Sequence, residues 1–231
     1  MFKEKNNTGS GNGIFKSSSF NFLSDDELNL LENNRSEVTY NPGEIIFKQG
    51  SACTHVVLFI SGLAKIYLEG YNKKNLIVRL VKPNEFIASP GLSTANKHSY
   101  SISAVERSTV SFIETSVFRQ LFKNNHPFGE NLMREMHRNY YQTLQKLINL
   151  NQKHRLGRIS EALLYLAEEI YGSDDFELTL SKKELADMTG MSTESSFRIL
   201  KELNEEGKIN IDKKKIAILD KNYLKQMSEI G

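Results

Sequence analysis

The chain has 231 residues, a net charge of +2, 39% hydrophobic and 25% charged residues, a balance that suits one large or two modest globular domains. No apolar run approaches the roughly 20 residues of a membrane span, and the polar start MFKEKNNTGSGNG lacks the apolar centre of a secretion signal, so a cytoplasmic protein with no membrane partner is expected. Its one cysteine, Cys53, excludes an internal disulfide and a cysteine-held iron–sulfur cluster, which takes about four.

Residues 1–20 are rich in Asn, Ser, Gly and Lys and predict a flexible or loosely docked tail. Ser24 and Glu27 form an S-x-x-E capping box that opens a short helix over SDDELNLLEN. From about Glu37 to Glu114 the texture changes to short β-branched and aromatic runs: SEVTY, EIIFKQ, HVVLFIS, LAKIYLE, NLIVRLV, YSISAVE and STVSFIE. Turn residues such as Asn41-Pro42-Gly43, Gly50, Ser61-Gly62, Gly70 and Lys82-Pro83-Asn84 separate them. Strands of about five residues at this spacing predict an antiparallel barrel or sandwich over residues 21–125, the domain expected to hold any small-molecule pocket.

After a short helix near Ser116–Lys123, His126-Pro127 breaks the pattern and one long helix follows over residues 126–152. On it Met133, Met136, Tyr140, Thr143, Leu147 and Leu150 recur at roughly 3.5-residue spacing, the pattern of a two-stranded dimer seam. The alternative is a helix lying on its own barrel.

Residues 153–231 open with an amphipathic helix, Arg155 to Tyr171, that supports the segment Leu180 to Asn210. There Ser181 with Glu184 is a second capping box, Gly190 marks a turn and Ser192 caps a second helix. Ser196, Ile199, Leu200 and Leu203 fall on one face of that helix, and Thr193, Glu194, Phe197, Arg198 and Lys201 on the other. A helix entering the major groove needs such an outer face: Arg donates twice to guanine, Glu accepts from the cytosine amino group and an apolar group touches a thymine methyl. Thr193, Glu194, Phe197 and Arg198 are therefore the candidate base readers. Lys182, Lys183, Ser195 and Lys201 are candidate phosphate contacts, joined by Lys213, Lys214 and Lys215 at the tip of a two-stranded wing running from Lys208 to Leu219. A solvated hairpin tip is the other reading of that wing. Residues 151–231 carry 13 Lys plus Arg against 15 Asp plus Glu, so DNA binding requires the bases to be gathered on one side and the acids turned away.

The order of barrel, long helix and winged helix-turn-helix resembles the CRP/FNR superfamily of bacterial transcription regulators over roughly residues 20 to 225. The most specific stretch is SKKELADMTGMSTESSFRILKELNEEGKI, with Asn41-Pro42-Gly43-Glu44, Gln49-Gly50 and Ser61-Gly62 similar to the family's barrel turns. The resemblance implies an α+β fold: an N-terminal antiparallel β-roll or jelly-roll barrel, a long dimerisation helix and a C-terminal winged helix-turn-helix over 153–231. It also implies a homodimer on a palindromic double-stranded operator, contact with RNA polymerase, and no enzymatic activity. Glu194 and Arg198 match the family's base-reading Glu and Arg. Thr193 stands where the cyclic-AMP branch has a second base-reading Arg and Phe197 where the fumarate-nitrate branch has Ser, so neither branch's operator carries over.

The effector site departs further. Cyclic-AMP-binding relatives carry Phe-Gly-Glu followed, about ten residues on, by Arg-Ser or Arg-Thr. Aligned on Gly91, this chain has Ser89 in place of the Glu and His98-Ser99 in place of the Arg-Ser. Losing both charged anchors, each worth roughly 1.5–3 kcal/mol, costs about 10²- to 10⁴-fold in affinity, so cyclic AMP is not expected to bind. Ser89, Gly91, His98 and Ser99 remain the candidate effector residues. No cofactor is expected; His98 could hold an anion or ligate a metal, and Cys53, His98, Met133 and Met136 are the residue types that ligate haem in sensing relatives, without a spacing that singles them out. No metal site is expected from the five scattered histidines. A second function class is a small-molecule-binding module whose C-terminal domain docks a protein. An enzyme fits least, since no phosphate-cradling glycine loop, H-E-x-x-H or nucleophile elbow is present.

Overall fold

The β-branched and aromatic runs become strands, and one short strand that the sequence pattern hides completes the set. In the computed structural model, which describes residues 18–94 and 96–230, β1 (Arg35–Tyr40), β3 (His55–Ser61), β6 (Glu85–Ile87) and β8 (Ser108–Glu114) form one antiparallel sheet in the order β1-β8-β3-β6. The second, in the order β2-β7-β4-β5, contains β2 (Ile45–Phe47), β4 (Ala64–Glu69), β5 (Asn75–Val81) and β7 (Ser101–Ala104). Only the β4–β5 connection stays within one sheet; every other step changes sheet, which is jelly-roll topology. Inward-facing Phe47, Val57, Phe59, Ile66, Ile102 and Val110 fill the space between the sheets. β6 is three residues long, too short to display a period of two, and its pairing with β3 (Val57↔Ile87, Leu58↔Phe86) is what makes it a strand. At Ser61-Gly62 the backbone has φ +91° and a Cβ would meet the Arg107 carbonyl oxygen at 2.4 Å, so only glycine fits the turn.

The expected tail over residues 1–17 lies outside the described residues. Its last part is docked: Ser18–Phe22 winds a 3-10 turn and Phe20 is buried, its ring centroid 4.8 Å from that of Phe86. One aromatic ring among polar residues suffices because the barrel's outer face offers it an apolar seat. α1 (Asp25–Asn33) begins with the expected capping box, Ser24 and Glu27 bonding each other's backbone N–H. α2 (Gly91–Thr94) sits in the loop before β7, and α3 (Thr115–Asn124) follows β8. The turn into α4 (His126–Gln152) is built by Asn125: its Oδ1 accepts the Phe128 N–H at 3.0 Å, while its amide donates to Phe22 O and to the Glu27 carboxylate. Pro127 fits the first turn of that helix, where no N–H is needed.

Past its first two turns α4 leaves the barrel. Met133, Met136, Tyr140 and Leu147 of the expected seam are 37–64% exposed. Thr143 and Leu150 stand off that line. The Thr143 hydroxyl donates to Asn139 O within its own helix, and Leu150 lies against the turn at Gly190, where a Cβ would come 2.8 Å from Leu150 Cδ2. Leu144 and Ile148 take their places in the outward stripe. A straight helix drifts about 20° per heptad against a 3.5-residue repeat, which rotates the later positions of a strict heptad pattern off the face where it began.

In the C-terminal part, α5 (Arg155–Tyr165) runs into a π-helical stretch, Leu166–Tyr171, ended by left-handed Gly172. Then come β9 (Asp175–Glu177), α6 (Lys182–Thr189), α7 (Thr193–Glu205), β10 (Ile209–Asp212), β11 (Lys215–Ile218) and α8 (Lys221–Ile230). The wing has three strands, β10-β11-β9, where the sequence suggested two; β9, Asp-Phe-Glu, has one buried residue and gives no periodic signal. Leu163, Leu166, Leu185 and Met188 of this part share a single buried cluster with Leu63, Tyr67, Ile77, Leu80 and Val105 of the barrel. Polar ties surround it: Lys65 pairs with Glu184, the Tyr165 hydroxyl accepts the Leu80 N–H at 3.2 Å, and Lys82 Nζ donates to Glu169 O. No helix among the described residues is long and apolar enough to cross a membrane.

Candidate nucleic-acid interface and effector region

The reading motif is assembled by its caps and its inner face. Ser181 Oγ accepts the Glu184 N–H at 3.2 Å while the Glu184 carboxylate accepts the Ser181 N–H at 2.7 Å. Gly190, at φ +64°, ends α6, and Ser192 Oγ accepts the Ser195 N–H to start α7. Ser196, Ile199, Leu200 and Leu203 are all buried, and Thr189 Oγ1 lies 3.4 Å from Ser196 Oγ where the two helices cross. The faces therefore divide as the spacing predicts. Burying one face of α7 leaves Thr193, Glu194, Arg198 and Lys201 exposed on the other.

Several candidate residues are engaged within the motif, Lys183 among them, paired with Asp187 at 2.6 Å. Phe197 is half-buried, packed against the domain core with Lys182 Nζ 4.3 Å from its ring centroid, so it braces α6 on α7 and presents only part of its ring outward. Ser195 Oγ accepts from Ser192 Oγ at 2.9 Å and belongs to the cap. Lys213, Lys214 and Lys215 are exposed at the wing tip, where Lys213 takes the left-handed backbone of a two-residue turn. The acids are sorted in part. Glu168 and Asp174 pair with Lys221 away from α7, whereas Glu202 lies 3.9 Å from Arg198 and Glu205 3.4 Å from Lys201 on the outer face of α7 itself. These exposed i,i+4 pairs are weak enough to exchange for a nucleic-acid partner.

The four candidate effector residues do not line one cavity. Ser89 is buried and its hydroxyl accepts the Ser99 N–H at 3.0 Å, closing the loop across α2. Gly91 opens α2. His98 is 7% exposed, its ring stacked on Phe47 with centroids 3.7 Å apart, and its buried Nδ1 has no hydrogen-bond partner. It lines a hollow of about 180 Å³ at one end of the barrel together with His55, Phe112 and Val57. Burial lowers the His98 pKa, so at neutral pH the ring is uncharged and is no substitute for an arginine on a phosphate. The candidate haem ligands are dispersed as well: Cys53 is buried beneath the helices beside Val117, with burial raising its thiol pKa, and Met133 and Met136 lie on the outward side of α4. Sequence spacing alone had no means of revealing the Phe47–His98 stack, which joins the end of β2 to the loop before β7, far apart in the chain.

Two family models match the chain: the cyclic nucleotide-binding domain over residues 37–125 and the Crp-like helix-turn-helix domain over residues 157–227. The cAMP-activated global transcriptional regulator CRP of Salmonella typhimurium is 25% identical over 183 residues, which is 78% of this chain and 87% of that protein. The transcriptional activator protein anr of Pseudomonas aeruginosa is 26% identical over 184 residues, 77% and 74% of the two chains. Among solved structures, FixK2 from Bradyrhizobium japonicum superposes with a TM-score of 0.76 at 16% identity, over 84% of this chain and 96% of that one. The c-di-GMP-responsive regulator CLP of Xanthomonas campestris gives 0.72 at 20%, over 84% and 99%. At these identities the structural likeness is one of fold.

The buried histidine makes a pH dependence testable. Its folded pKa lies below the ordinary value of 6.5, so the unfolded chain takes up a proton near pH 6.5 that the folded chain refuses. The stability His98 contributes is complete above that pH and is lost as pH falls from it toward the folded pKa. Thermal melts from about pH 7.5 to about pH 5 should show a falling Tm, and His98→Phe, which keeps the stack on Phe47, should reduce that fall. An equal fall in the variant would show that the ring titrates as it does in the unfolded chain.

Proposed function

The chain belongs to the CRP/FNR superfamily of DNA-binding transcription regulators, and from that membership we propose that it acts as a homodimer on a palindromic operator, with a barrel that does not take cyclic AMP. The observation that carries the reading is the outer face of α7, where Thr193, Glu194 and Arg198 are exposed over a buried inner face. Arg198 and Glu194 read base edges, Thr193 and the exposed part of Phe197 tune them, and Lys182, Lys183, Lys201 and the wing-tip lysines position the protein on phosphates. Ser195 offers its backbone N-terminal turn more than its hydroxyl, which the cap occupies. Two copies pair through the outward stripe of α4, which presents two half-site readers to a two-fold operator. Contact with RNA polymerase follows from the same membership.

Against cyclic AMP stand Ser89, whose hydroxyl is already spent on Ser99, and His98, neutral and stacked on Phe47. Neither supplies the carboxylate or the guanidinium that a ribose and a cyclic phosphate require. The names of the relatives offer cyclic AMP and c-di-GMP as effectors of those proteins, and this barrel keeps their fold without the charged clamp.

Three measurements test these statements. Arg198→Ala should cost about 1–3 kcal/mol on the preferred operator and relax preference at one base position in a selection from random DNA; uniform weakening on all sequences would make Arg198 a phosphate contact. Leu144→Glu, at an exposed site, should leave the melting temperature near wild type while light scattering reports a monomer, with operator affinity lower by about two orders of magnitude; a dimeric variant would move the interface elsewhere. Calorimetric titration with cyclic AMP should give no binding heat, and a saturable micromolar isotherm would overturn that part of the reading.

A further inference from the structure

α4 has two working sides. Opposite its outward stripe, Gln142, Lys146 and Asn149 face a cleft of about 240 Å³ bounded by Val78 and Arg79 of β5, Arg158 and Ala162 of α5, and Met188 and Thr189 at the end of α6. A second hollow of about 370 Å³ adjoins it and shares Arg79, Gln142, Tyr165 and Glu169, bringing the joint space into the range of small-molecule sites. Its position on the far side of α4 keeps it open when two copies pair through the stripe.

The cleft gathers half-buried positive charge from Lys146 and Arg158. Lys146 Nζ has no hydrogen-bond or ion-pair partner among the described residues, and burial, with Arg158 and Lys153 nearby, pulls its pKa down to about 8 against the opposing pull of Glu161. Glu161 is the acid that acts on Lys146, and it is occupied by Asn149 Nδ2 and by Lys153 Nζ at 3.1 Å, while Glu169 lines the cleft on the Tyr165 side. Arg158 uses its Nε on the Lys153 carbonyl at 2.9 Å, leaving its terminal nitrogens without an acceptor among the described residues. A half-buried ammonium without an ion-pair partner, beside a guanidinium with free terminal nitrogens, gains from a counter-charge brought by a ligand. Leu150, Ala162, Tyr165 and Met188 give the cleft an apolar stretch of wall beside its polar lining.

We propose that this cleft is a binding site for a small organic anion, a carboxylate or phosphate group on an apolar body, with the acid group held by Lys146 and Arg158 and the body lying on Tyr165, Leu150 and Met188. Such a ligand touches barrel, long helix and α6 at once. Through Leu150 and Met188 it reaches the Gly190 turn that joins the reading helices.

Phenyl phosphate is a probe of this chemistry, and inorganic phosphate is its control without the apolar body. Binding is measured on the full-length protein without DNA, so its failure is separate from any failure of the operator reading. Isothermal titration should give one phenyl phosphate per chain, with inorganic phosphate weaker, and Lys146→Met should weaken phenyl phosphate by about tenfold or more, the worth of one charge-assisted bond. Lys74→Met, at an exposed lysine of the β4–β5 connection, should bind as wild type does. Lys146→Met should also melt no lower than wild type at neutral pH, since a half-buried ammonium without an ion-pair partner is replaced by a thioether of similar length. Should that variant fold poorly, side-chain NMR of wild type decides: phenyl phosphate must shift the Lys146 ε-methylene signal and raise the pH at which it titrates. No binding at millimolar phenyl phosphate, equal binding by Lys146→Met, equal binding of inorganic phosphate, or an unmoved Lys146 signal each overturns the proposal.

Discussion

The arrangement depends on one buried apolar cluster that belongs to two halves of the chain at once. Leu63, Tyr67, Ile77, Leu80 and Val105 on the outside of the β2-β7-β4-β5 sheet are buried only because α5 and α6 cover them with Leu163, Leu166, Leu185 and Met188. Apolar area of this kind is non-directional, so by itself it does not fix an orientation. Polar contacts at its rim do so. Glu184 serves both its own helix, as the third residue of the capping box, and the barrel, through Lys65. Burial raises its pKa, and the bonds from Lys65 and Ser181 more than offset this, so it stays a carboxylate well into the acid range.

That double use couples the reading helices to the sensor fold. α6 cannot swing off β5 without breaking the Lys65–Glu184 pair and exposing Leu185 and Met188, and α7 is tied to α6 by Thr189, Ser196 and the Lys182–Phe197 contact. The orientation of α7 is thus a property of the whole chain. The far end of α4 joins the same assembly through Leu150 at Gly190, so the helix that carries the outward apolar stripe also abuts the turn between the two reading helices. A shift in any one of barrel, long helix or α6 is felt by the other two, because packed interfaces move in steps and do not stretch.

The loop around α2 is closed on itself. With Phe47 stacked on His98 and Ser89 bonded to Ser99, the loop around α2 is held by its own side chains. Lys146 and Arg158 face the cleft beside α4, between the barrel and α6.

Local signals were legible because their physics is local. Capping boxes at Ser24–Glu27 and Ser181–Glu184, the turn at Gly190, the inner face Ser196–Leu203 and seven of the eight barrel strands depend on neighbours within a few residues, and the sequence carries them openly. The motif residues of α6 and α7 were specific enough to identify the family as well. Tertiary structure decided what depends on distant partners. β6 and β9 exist because β3 and β11 offer them edges. Leu150 is half-buried because the Gly190 turn packs against it. Phe197 became a brace because Lys182 lies over it, and His98 became a buried neutral ring because Phe47 lies beside it. The sequence by itself determined the capped helices and seven of the eight barrel strands, which rest on short-range periodicity and capping, and its motif residues pointed to a DNA-binding regulator. Which side chains remain available to a ligand was decided only by folding, since a hydrogen bond or a stack between residues tens of positions apart leaves no mark on either neighbourhood.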